Sequence, residues 1–122
     1  MIRRVFAIML ACLALSAGAL AQDKLGVIIL HGKQGTPTGN QGLSVIASNL
    51  QAAGHKVVVP LMPWGRGSWE TINVTVEEVL ALLDSQAAQL RAQGATRIVV
   101  IGHSLGACVG LAYAVEIGRA HV

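Results

Sequence analysis

Charge is scarce in this chain. Only 12% of its residues are Asp, Glu, Lys or Arg, and nine basic side chains face six acidic ones. A formal charge of +3 gives little electrostatic footprint for a phosphate backbone, so no nucleic-acid partner is expected. Long apolar runs are missing too. None approaches the roughly 18 residues of a membrane span, which argues against stable membrane insertion. Cysteine is limited to Cys12 and Cys108. Internal repeats, linkers and low-complexity segments are absent. What is abundant is apolar residues, at 53%. That content excludes a disordered tail and, over 122 residues, suits one domain.

Residues 1–21 have the layout of an export signal. Arg3 and Arg4 precede an apolar stretch over residues 5–15, and Ala19-Leu20-Ala21 is a small-x-small cleavage pattern. Cleavage after Ala21 is expected, with an exported product, periplasmic or extracellular. The Arg pair resembles a twin-arginine signal, but Ile2 before it favours the general export route. Loss of Arg3 and Arg4 leaves seven basic residues against six acidic, a charge of about +1. It also leaves Cys108 alone, which excludes an intrachain disulfide and a cysteine-based metal site.

The remaining chain alternates strands and helices. Leu25-Gly26-Val27-Ile28-Ile29-Leu30 is a continuous apolar run suited to a strand buried on both faces. A Gly-, Thr- and Pro-containing loop spans residues 32–42. Leu43, Ile46, Ala47 and Leu50 recur at helical spacing, and Gly54 stands where that helix would stop. Residues 56–60 predict a second strand. Thr75-Val76-Glu77-Glu78 is a capping box, opening a helix whose apolar stripe is Val76, Val79, Leu80, Leu83, Ala87 and Leu90. Residues 97–101 predict a third strand. A third helix should follow Ser104, with Ala107, Leu111, Ala112 and Val115 as its stripe. Such alternation implies an α/β fold, a parallel sheet covered on both faces. Three parallel strands leave both sheet edges open, so residues 22–115 read as the first half of a domain.

Gly102-His103-Ser104-Leu105-Gly106 is G-x-S-x-G, placed directly between an apolar strand and a helix. The pattern demands a sharp turn that raises a serine hydroxyl above the sheet. Gly102 and Gly106 remove side chains that would collide with the neighbouring strand and helix. The helix N-terminus beneath offers backbone N–H groups, and the Leu105 N–H is a candidate oxyanion donor. Ser104 is the candidate nucleophile.

A second element agrees: Ile28-Ile29-Leu30-His31-Gly32-Lys33 is a strand ending in His-Gly. Together these motifs resemble the α/β-hydrolase family, and residues 25–115 resemble the N-terminal half of its fold. The resemblance implies a three-layer α/β sandwich with a mostly parallel sheet, truncated after the helix that follows the nucleophile elbow. It implies a serine hydrolase acting on small-molecule esters or related acyl substrates, with no cofactor and no metal. It also assigns the second oxyanion N–H to Lys33, with Gln34 as the runner-up. The family's order is Ser, then Asp or Glu, then His. His31 comes too early for that order and should anchor its loop, and His103 should be a packing residue. Trp64 and Trp69 are candidate walls of a substrate pocket, and Arg66 is expected to be solvated. Cys108 is expected to be a small buried residue, and His55 a solvated cation at a helix end.

No acid–histidine pair follows Ser104 at reachable geometry. Glu116 and His121 lie in the right order, but a helix rising about 1.5 Å per residue carries His121 well over 20 Å away. Residues 117–122 are what ATC GGA AGA GCA CAC GTC encodes, a string similar to a common sequencing-library adapter. Residues 116–122 are therefore expected to be a non-native tail. The expectation is an exported serine hydrolase represented by an inactive part. The alternative is a non-catalytic exported α/β binding module or pseudoenzyme. Neither substrate identity nor oligomeric state is set by these residues.

Overall fold

The computed structural model describes residues 24–65 and 73–120, with side chains to residue 117. The export signal over residues 1–21, together with Arg66, Trp69 and His121, lies outside them. Six elements alternate along the chain: β1 (Leu25–Leu30), α1 (Gln41–Ala52), β2 (Lys56–Val58), α2 (Val76–Ala92), β3 (Arg97–Gly102) and α3 (Leu105–Ala120). The strands form one parallel sheet in the order β2-β1-β3. The protein is thus α/β, with a small three-stranded parallel sheet and three helices.

Topology follows from handedness. The chain moves from β1 outward to β2, then crosses back past β1 to β3. Right-handed crossovers in opposite directions place their helices on opposite faces. Two apolar clusters match this. Val27 and Ile29 of β1 pack with Leu43 and Ala47 of α1. Ile28 and Leu30 pack with Val79, Leu83, Ala87 and Leu90 of α2 and Tyr113 of α3. Residues 27–30 are all fully buried, because β1 is paired on both edges and covered on both faces.

Local signals explain the boundaries. The Asn40 side chain accepts from the Leu43 N–H and starts α1. Thr75 and Glu78 form a reciprocal capping box at α2. Gly54 and Gly94 follow α1 and α2 with φ of 89° and 99°, a backbone region open to glycine at no steric cost. The second strand is shorter than its apolar run, ending at Val58. Val76 is also exposed rather than part of the buried stripe of α2.

The third helix presents a different face from the one its larger residues suggested. Ala107, Leu111, Ala112 and Val115 are exposed, whereas Gly106, Gly110 and Tyr113 are buried. Small residues let the helix backbone approach β1 at Gly106 and β3 at Gly110, so glycines form the contact stripe and Leu111 does not. Cys108 is likewise exposed. His55 is half-buried, and its Nδ1 accepts from the Leu25 N–H at 3.4 Å.

Candidate functional site

β1 and β3 run side by side to their carboxyl ends, with Leu30 opposite Gly102. The ladder continues one step further, because the His103 N–H donates to the Leu30 carbonyl at 3.0 Å. Beyond that point the chain after β1 leaves toward α1 on one face. The chain after β3 leaves toward α3 on the other. Divergence of adjacent strands in this way opens a crevice at their carboxyl ends, the place where parallel sheets accept ligands.

Ser104 sits at the corner between β3 and α3 with φ of 54°. That is left-handed backbone, costly for a residue with a Cβ. The corner is enforced by close packing. A Cβ on Gly102 would fall 2.6 Å from the Ala107 Cα, and one on Gly106 would fall 2.8 Å from the His31 carbonyl oxygen. The turn therefore rests directly on the backbone of both α3 and β1. In the first turn of α3, Gly106 donates to the His103 carbonyl, and Ala107 and Cys108 donate to the Ser104 carbonyl. The Leu105 N–H has no partner among the described residues, as a first helical N–H has none within its own helix.

The loop after β1 lies against this corner. A Cβ on Gly32 would stand 3.1 Å from the Ser104 Cβ and 3.0 Å from the His103 Nδ1. Ser104, His103, Gly32, Lys33, Gln34 and Asn40 share the walls of a cavity of about 320 Å³. Among its described lining residues Lys33 is the one Lys or Arg, and none is Asp or Glu. The cap of α1, Asn40, lies on this wall too, so the start of a second helix borders the cavity.

His31 is buried beneath the cavity and is fully engaged. Its Nε2 accepts from the Met62 N–H at 3.0 Å, which leaves the ring proton on Nδ1, 2.8 Å from the Gly32 carbonyl. A ring held in that way anchors the loop and has no lone pair to offer a reacting proton. His103 is exposed and on the cavity wall, not packed. No histidine or carboxylate among the described residues hydrogen-bonds the Ser104 hydroxyl.

Trp64 is 2% exposed. Its Nε1–H donates to the His31 carbonyl at 3.0 Å, and its own carbonyl accepts from the Gln34 N–H at 2.9 Å. The Gln34 N–H is therefore committed to the loop. Trp64 also borders a separate apolar cavity of about 190 Å³ with Leu105, Val109, Val79 and Leu80, and Ser104 is not on its wall. The indole bond spans 33 residues, so no local pattern in the sequence announces it.

Among the described residues, no group of three or more His, Cys, Asp or Glu side chains is placed to hold a metal ion. No described helix is long and apolar enough to cross a membrane. The chain matches no family, no curated protein and no solved structure.

Proposed function

We propose that this chain carries the nucleophile and oxyanion site of an exported serine hydrolase acting on small-molecule esters or related acyl compounds. The observation that carries the reading is the left-handed Ser104 at a strand-to-helix corner, beside the Leu105 N–H and the His31-Gly32-Lys33 loop. The β2-β1-β3 order supports an α/β-hydrolase fold, with the serine strand next to the His-Gly strand.

In this reading the Ser104 Oγ attacks the substrate carbonyl carbon. A base takes the hydroxyl proton and returns it to the departing alcohol, leaving an acyl-serine that water then hydrolyses. The N–H groups of Leu105 and Lys33 hold the oxyanion in the tetrahedral states. The lack of a carboxylate on the described cavity wall favours that negative charge. The base and its acid partner belong to residues other than those described, since His31 is engaged, His103 makes no hydrogen bond to the Ser104 hydroxyl, and His55 sits at the far end of β1.

In the protein that also carries the base and its acid partner, a fluorophosphonate probe should label Ser104, and Ser104→Ala should abolish the labelling. Equal labelling of both proteins overturns the assignment. Export carries its own test: the secreted product should begin at Gln22-Asp23-Lys24, and a product still starting at Met1 would contradict it.

A further inference from the structure

We propose that Trp64 is a positioning residue for acyl transfer at Ser104, holding the oxyanion loop from both ends. The inference rests on Ser104 being the nucleophile. Gly32 and Lys33 lie between two bonds to this single residue. On one side the indole Nε1–H holds the carbonyl of His31 at 3.0 Å, and on the other the Trp64 carbonyl holds the N–H of Gln34 at 2.9 Å. A third bond, from the Met62 N–H to the His31 Nε2, ties the same two loops two residues earlier. The His31 and Trp64 rings also meet edge-on, with centroids 6.3 Å apart.

A clamp is needed here for a physical reason. Gln34 has φ of 57°, a conformation that a non-glycine residue holds only when its surroundings over-determine it. The Trp64 carbonyl binds the N–H of that same residue. Release of the clamp would let residues 32–34 relax and move the Lys33 N–H. Oxyanion stabilisation depends on donors fixed before the charge develops, so a displaced donor lowers the rate of acylation without altering ground-state binding. The tryptophan thereby acts through the loop and does not touch the reacting atoms.

Two measurements test this: hydrogen exchange on the 122-residue chain, and probe kinetics on the protein that also carries the general base. The first is hydrogen exchange of the wild type, independent of Ser104 reactivity. The Trp64 Nε1–H and the Gln34 N–H should be protected to a similar degree, because one opening event frees both. In Trp64→Phe, which keeps a ring but loses the donor, Gln34 exchange should rise about tenfold while β1 amides stay slow. An unprotected indole N–H in the wild type, or unchanged Gln34 exchange in the variant, overturns the clamp.

The second measurement is inactivation by alkyl fluorophosphonates of increasing chain length. Trp64→Phe should slow the maximal inactivation rate about tenfold, short of the ~10²–10³ that outright loss of an oxyanion donor costs. The half-saturating probe concentration should stay the same at every chain length. A shifted chain-length preference with an unchanged maximal rate would make Trp64 a pocket wall instead. If wild type and Ser104→Ala label alike, the nucleophile assignment fails, and the exchange measurement still decides the clamp.

Discussion

Position 104 sets hydroxyl chemistry against backbone comfort. Left-handed backbone costs an alanine roughly 1–2 kcal/mol that glycine escapes, while glycine loses more entropy on folding. Ser104→Gly should therefore melt higher than Ser104→Ala, by about 1 kcal/mol in urea unfolding, and both should be equally dead to the probe. Equal stabilities would mean that the corner relaxes when its hydroxyl is removed. Gly106 makes the opposite case. A methyl there meets the carbonyls of Leu30 and His31, which are main-chain atoms at the end of the central strand and just beyond it and cannot swing aside. Gly106→Ala should cost about 3 kcal/mol, the upper range of core overpacking, in the same urea titration. These two positions were legible in the chain because G-x-S-x-G between an apolar strand and a helix has few geometric solutions. Trp64 was not legible, because its partners lie a whole β-α-β unit away and nothing in its neighbours encodes them.

At the scale of elements, the strands and the capping box could be read because continuous β-branched runs and a Thr-x-x-Glu pair act locally. Loss of the cap by Thr75→Ala should lower stability by about 1 kcal/mol, seen as a shifted urea midpoint with an unchanged slope. The buried face of α3 could not be read from size. Helix periodicity names the apolar residues, but only the distance to the sheet decides whether a glycine or a leucine belongs in the contact. That face is completed by Tyr113, whose hydroxyl donates to the Asp84 carboxylate at 2.9 Å across α2. Burial first, then the bond and charge of Asp84, raise the Tyr113 hydroxyl above its ordinary value of 10.0 against a smaller lowering by Arg91. The folded chain therefore holds this proton more tightly than the unfolded one. The stability so contributed is complete below pH 10 and falls as pH rises beyond it. Tyr113→Phe should lose that alkaline part of the slope and about 1 kcal/mol at neutral pH. A variant with the wild-type slope above pH 10 would refute the coupling.

For the whole molecule the sheet is the deciding feature. Among the described residues, β3 pairs on one side only, with β1. On α3, Leu111, which borders a cavity with Ile98 and Val100 of β3, is 69% exposed and Val115 is 48% exposed. An unpaired apolar edge beside uncovered side chains invites association. Light scattering should grow with concentration, and Leu111→Lys with Val115→Lys should suppress it without lowering the melting temperature. Undiminished scattering in that double variant would place the sticky surface elsewhere. The rooting of both loops on the end of β1 also bears on mutational tolerance. In a library of all single substitutions, sorted once for folding and once for probe labelling, the two sorts should agree at Gly106 and His31. They should part at Ser104, where folding admits many residues and labelling admits one. The crevice would thus emerge as a short interval of sequence where permission to fold and permission to react no longer coincide.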